Sequence, residues 1–238
     1  MNTVIFESCI PVVAIGLFAL VHASFQLGIS VLTLLSGHSL GRKHALRRTL
    51  LLNMGYIAGT VIMTGLLLMG LMYLWQFLYM WPLETVMVLL AIACAVVGSL
   101  IFVAYFRRGH GTMLWIPRVF ADYLRDRAKR TKNSLESVVL GAVTVIAELP
   151  FTFVVMLCVS YIVQLFASSY DQLSIIALYS LVTSVPLMIV TVLLSGGHRL
   201  SQIQRWREAN KVFLQCASGV GLCIAAIFMI VFYVGAGS

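Results

Sequence analysis

Long apolar runs dominate the chain, and short polar connections separate them. A membrane-spanning helix needs about 20 mostly apolar residues. Six such runs can be placed, at roughly 11–36, 50–74, 84–106, 137–166, 173–195 and 212–234. They lack the alternation of apolar and polar residues that a transmembrane β-barrel requires. The pattern therefore predicts an all-α membrane protein with six transmembrane helices.

The composition supports this class and narrows the possible functions. Hydrophobic residues make up 61% of the chain, charged residues 10%, and the mean hydropathy is +1.01. A soluble domain carries about 25% charged residues, so this chain lacks the polar surface to cover a globule in water. A soluble enzyme, a nucleic-acid-binding domain and a disordered chain are excluded. We expect no enzymatic activity, no cofactor, no metal site and no nucleic-acid partner.

The net charge is +8, and the positions of the basic residues along the chain indicate its orientation in the membrane. All 16 Lys and Arg residues fall into three clusters, at 42–48, 107–132 and 199–211. Basic loops stay on the cytoplasmic side of a membrane, where they also contact anionic lipid headgroups. A single topology thus accommodates every basic residue. It predicts a multi-pass protein of a bacterial inner membrane with both termini outside, on the periplasmic side.

The long basic loop divides the chain into two halves of three spans. A first half of about 1–106 and a second of about 137–238, joined by loop 107–136, would form one transmembrane domain. Because each half crosses the membrane an odd number of times, the halves have opposite orientations, as in inverted-repeat transporters. A helix expected at Ile116–Lys132 either lies on the inner membrane surface or docks a protein partner.

Two ionisable side chains fall within predicted spans. Placing such a side chain inside a membrane costs free energy, so both residues are candidate functional groups. Glu148 lies in the middle of the fourth span, beside Pro150. His22 lies in the first span, with Gln26 four residues later on the same helical face. If the two spans face each other, His22, Gln26 and Glu148 form a substrate or proton site near the midplane. A structural hydrogen bond between helices is the alternative for both ionisable groups.

Prolines and glycines suggest how these helices bend and pack. Pro150 and Pro186 each remove a backbone hydrogen bond from a predicted span, so we expect discontinuous helices with hinges at both residues. Gly55 and Gly59 form a GxxxG pattern in the second span. Such a pattern is either a packing notch within the molecule or an oligomer interface.

Several features resemble a known family. The first span ends Leu35-Ser36-Gly37 before the basic cluster from Arg42 to Arg48. Pro150-Phe151 stands in the middle of the fourth span. The segment from Ser184 to Gly219 combines a proline break, a basic loop and a Ser-Gly pair. In these respects the chain resembles the LysE superfamily, in particular its DsbD/CcdA-like transmembrane domains. The resemblance implies six spans in two inverted three-helix halves.

The chain departs from that family at the redox residues. The family's thiol pair comes from its first and fourth spans, and Ala23 and Phe151 stand at those places here. A thiol–disulfide relay is therefore not expected, and we interpret the five cysteines as small apolar packing residues. The resemblance leaves the scaffold of a transporter with a different site.

Together these features predict an integral inner-membrane transporter. Its cargo would be a small solute or ion, its action proton-coupled export, and its site would lie between the first and fourth spans. The alternative is a non-catalytic assembly or accessory subunit that docks a partner at loop 107–136.

Overall fold

The computed structural model describes residues 2–25, 27–39, 45–77, 82–105, 118–196 and 200–231, and most of these residues lie in α-helices joined by short turns. The described part of the chain contains no strand. Its helices are α1 Asn2–Ala23, α2 Leu27–Ser39, α3 Ala45–Phe77, α4 Leu83–Tyr105, α5 Arg118–Arg130, α6 Ser134–Gln164, α7 Ser169–Ser195, α8 Leu200–Ala209 and α9 Lys211–Met229.

Within the described residues, four helices are long and apolar enough to cross a membrane, and their spans are Arg47–Gln76, Glu84–Ile101, Ser134–Gln164 and Ser169–Ser195. Two shorter apolar helices cover Ile10–Ala23 and Cys216–Met229. For the described residues, the prediction of an all-helical protein with helices long and apolar enough to cross a membrane is confirmed. The number of six crossings and their inverted symmetry stay predictions.

The first predicted span is not one helix. The amide of Ser24 donates to the carbonyls of Leu20 and Val21, at 3.2 and 3.1 Å, and α1 ends at Ala23. The chain resumes as α2 at Leu27. The expected continuous helix over 11–36 was therefore wrong. A stripe that continues from His22 to later residues of the same helix does not form, and Gln26 lies outside the described residues.

The two prolines lie inside continuous helices. Helix α6 runs through Pro150 and α7 runs through Pro186 without interruption. The expected discontinuities in these helices were wrong, because the rest of each backbone ladder continues past the missing donor. In α6 the Thr152 hydroxyl donates to the Glu148 carbonyl, at 3.2 Å.

The glycines of α3 hold it against α6. A Cβ atom on Gly55 would lie 2.8 Å from the Ser134 carbonyl oxygen, and one on Gly59 would overlap the backbone of Val138. From the other side, a Cβ atom on Gly141 would overlap the backbone of Tyr56. Of the two interpretations of the GxxxG pattern, the notch within the molecule is the one confirmed.

Contacts between helices join the early and late parts of the chain. Helix α3 packs on α6 and α7, α4 packs on α9, and α1 packs on α6, α7 and α9. The two predicted halves are therefore interleaved, and a cavity between them draws its lining from both.

The amphipathic helix of the long loop is α5, slightly shorter than expected. Its apolar residues Leu124 and Ala128 are buried, and the helix packs against α2 and α6. These two side chains thus lie against protein, whereas a helix resting on lipid would direct its apolar side into the membrane.

Candidate functional site

A cavity of about 40 Å³, with both polar and apolar residues in its lining, lies where the break between α1 and α2 meets α3, α6 and α7. Its polar lining consists of His22 from α1, Thr60 and Thr64 from α3, Glu148 from α6, and Ser180, Thr183 and Ser184 from α7. A water molecule needs about 10–15 Å³ of such space, so the cavity has room for about three. Its lining residues lie near the middle of α3, α6 and α7, far from the ends of these helices.

His22 reaches the cavity from the last turn of α1. Its side chain is buried, and its Nδ1 atom lies 2.8 Å from the hydroxyl oxygen of Tyr179. Tyr179 is itself buried on α7, and the two rings are 5.7 Å apart between centroids. This bond orients the imidazole and engages one of its nitrogens, which leaves Nε2 as the nitrogen for any further partner.

Glu148 reaches the same cavity from α6. The residue is half-buried. The hydroxyl of Tyr56, on α3, is hydrogen-bonded to Thr144 and lies within electrostatic range of the Glu148 carboxyl group. The carboxyl group therefore belongs to a polar neighbourhood built by α3 and α6 inside an apolar bundle.

The structure brings two predicted site residues to one cavity, but in a different arrangement. His22 and Glu148 both line it, although the Nδ1 partner of His22 is Tyr179. Of the predicted hinges, Pro186 lines the cavity and Pro150 is exposed on α6. The role of these residues in binding, protonation or hinge motion stays a prediction, and Gln26 lies outside the described residues.

The hydroxyl residues of α3 and α7 were missed as site residues. Thr60 and Thr64 are four residues apart, and so are Ser180 and Ser184, with Thr183 between them. Residues three and four apart share one face of a helix, so each group forms a polar stripe on an otherwise apolar helix. This spacing was a usable signal, but nothing local indicates that the two stripes face the same cavity.

A second polar contact joins two thiols away from the cavity. Cys94 on α4 and Cys158 on α6 are fully buried, and their sulfur atoms are 3.6 Å apart. Both belong to the apolar core, which agrees with their interpretation as packing residues. Among the described residues, no group of three or more His, Cys, Asp or Glu side chains is arranged to hold a metal ion.

The site has to be interpreted from its own chemistry. Comparisons with protein-family models, with curated proteins and with solved structures found no match to this chain.

Proposed function

We propose that this protein moves a small solute or ion across a membrane and uses the cavity between α1, α3, α6 and α7 as its binding site. The observation that carries the proposal is that His22 and Glu148 line one cavity near the middle of apolar helices. A charged group in the centre of a membrane costs about 2.5–3.5 kcal/mol on insertion scales. A chain that retains such groups around one cavity is best explained by a ligand that uses them.

The break between α1 and α2 supports a transport role. In membrane proteins, non-helical backbone is tolerated where it lines a cavity, and transporters bind their cargo at broken helices. Here the residues next to the break, His22, Ala23 and Phe25, line the cavity. Alternating access would open this site to each side in turn, with Pro186 and Pro150 as the hinge positions and Glu148 as the proton carrier.

The membrane setting of the proposal comes from the sequence. The three basic clusters favour a cytoplasmic location for the connections that carry them, with both termini outside a bacterial inner membrane. Six spans in two inverted halves, as in the LysE/DsbD-like proteins that the chain resembles, complete the proposed architecture.

A second candidate function is a membrane assembly or accessory subunit, and the surface of α5 favours it. Tyr123, Arg125, Arg127, Lys129 and Arg130 are exposed there, while the opposite side of the helix packs on the protein. A cytoplasmic partner with acidic groups could dock on this surface. Such a subunit would assemble normally without a working Glu148.

Reconstitution into liposomes separates the two functions. Purified protein, liposomes containing a pH-sensitive dye and an imposed proton gradient give a direct measure of proton movement with each candidate solute. Glu148→Gln keeps the size of the side chain and removes its charge, so we expect solute-driven proton movement to be lost. The matched control is Glu136→Gln in the first turn of the same helix, where the carboxylate accepts from the Lys132 amide at 3.0 Å and lies outside the cavity lining. Wild-type flux in Glu148→Gln would refute the proposed site.

A further inference from the structure

Four of the five hydroxyl groups that line the cavity have already used their hydrogen-bond donors. Each donates to a carbonyl of its own helix, as follows: Thr60 to Ile57 at 2.7 Å, Ser180 to Ile176 at 2.8 Å, Thr183 to Ser180 at 3.0 Å and Ser184 to Leu181 at 2.8 Å. A hydroxyl group has one donor and two acceptor lone pairs. These four side chains can therefore offer the cavity only oxygen lone pairs.

Glu148 adds a carboxyl group to this oxygen-rich lining. An ionised carboxylate also only accepts, so it strengthens the same preference. Carboxylate, hydroxyl and water oxygens are the ligands of hard cations. The oxygen lone pairs would repel an anion in this cavity. A small cation could instead be coordinated by oxygen atoms from α3, α6 and α7.

Charge and size narrow the class of cation. One carboxylate balances one positive charge, so a divalent ion would leave an excess charge inside an apolar bundle, at a high desolvation cost. The cavity of about 40 Å³ holds about three water molecules. An ion with its complete hydration shell does not fit. The ion must exchange part of that shell for the hydroxyl oxygens.

We infer that the cavity binds a small, hard monovalent cation, Na⁺, through the oxygen atoms of Glu148 and of the hydroxyl residues on α3 and α7. This inference rests on the proposed function and names the ion that the transport cycle carries or uses for coupling. His22, whose Nδ1 atom lies 2.8 Å from the Tyr179 hydroxyl, then forms the α1 side of the site.

Thermal unfolding of the purified full-length protein tests binding without any transport. The melting temperature is measured in NaCl and in choline chloride at the same total ionic strength, with LiCl and KCl as further probes. A ligand that binds only the folded state stabilises it. We expect Tm to rise with the logarithm of the Na⁺ concentration above the dissociation constant, by about 5 to 10 °C at a concentration near a hundred times that constant. Equal Tm values in NaCl and choline chloride at every concentration would overturn the inference.

Substitutions locate the ion. We expect Glu148→Gln and the double change Ser180→Ala with Ser184→Ala each to weaken the apparent Na⁺ affinity by at least about tenfold, because each removes ligand oxygen or charge. The matched control is Thr191→Val, since Thr191 is buried on α7 and donates to the Leu187 carbonyl at 2.9 Å, outside the cavity lining. Wild-type Na⁺ affinity in both cavity variants, or an equal loss in the control, would also overturn it.

The two proposals fail in different ways. If Na⁺ leaves Tm unchanged while liposomes show solute movement that depends on Glu148, the ion assignment is wrong and the proposed function stands. If Na⁺ raises Tm through these residues while liposomes move no ion or solute, the cation site stands and the transport function is wrong.

Discussion

The close approach of α3 to α6 at Gly59 gives the sharpest prediction about stability. Gly59→Ala places a methyl group where α3 touches α6, and that group would overlap the carbonyl of Val138. The clash is with backbone, so a side-chain rotation cannot relieve it. Gly70→Ala on the same helix is the control, because a Cβ atom there has no neighbouring atom within 4 Å and the residue is exposed.

The difference between the two variants isolates the packing cost. Replacing Gly by Ala within a helix gains about 0.8–1 kcal/mol of helix propensity, and both variants share this gain. Overpacking costs about 1–3 kcal/mol, and Gly59→Ala alone incurs it. We therefore expect Gly59→Ala to be about 1–3 kcal/mol less stable than Gly70→Ala. At about 2–4 °C per kcal/mol for a chain of this length, its Tm should be lower by about 2–12 °C.

Thermal unfolding in detergent micelles, followed by intrinsic tryptophan fluorescence, measures this difference. Both variants should be compared at the same ionic composition, since bound ions alter Tm. Equal melting temperatures for Gly59→Ala and Gly70→Ala would refute the close approach of α3 and α6. The position of Glu148 relative to Thr60 would then lose its support, because the same helix pair holds both.

Two further predictions concern the polar contacts next to the cavity and in the core. Tyr179→Phe removes the hydroxyl that bonds His22 at 2.8 Å, so we expect a loss of about 0.5–1.5 kcal/mol in unfolding free energy. The exposed Tyr170→Phe should lose almost none, and equal losses would contradict the bond. Mild oxidation of the folded protein with iodine, which takes two electrons and two protons from a thiol pair, should link Cys94 to Cys158, whose sulfur atoms are 3.6 Å apart. Mass spectrometry of the digest should show this linked peptide pair, and a product linked through other cysteines only would contradict the packing of α4 on α6.

Local sequence was enough to place most of the helices. The predicted spans 50–74, 84–106, 137–166 and 173–195 became α3 Ala45–Phe77, α4 Leu83–Tyr105, α6 Ser134–Gln164 and α7 Ser169–Ser195. The length of an apolar run can be read from the local sequence. In a membrane, the backbone N–H and C=O groups of such a run must form hydrogen bonds within their own helix. Hydropathy therefore fixes where such helices lie, within a few residues.

No local feature of the sequence predicted the break between α1 and α2. Neither proline nor glycine occurs between Val21 and Gln26, so the apolar run reads as continuous. In the folded chain the Ser24 hydroxyl bonds the Val21 carbonyl at 2.5 Å and lies 2.7 Å from the hydroxyl of Ser218 on α9. A contact between residues so distant in sequence is not encoded in the run itself.

The apolar class, the main helices and the selection of His22 and Glu148 as candidate site residues followed from the amino-acid sequence, since each depends on a residue's own polarity or on its near neighbours. The folded molecule decided that Tyr179 binds His22, that hydroxyl stripes of α3 and α7 complete the cavity, and that Cys94 touches Cys158. These outcomes depend on which helix faces meet, and the glycine notches between α3 and α6 help to set that geometry. Helix periodicity tells which residues share a face, whereas packing in three dimensions determines what that face contacts.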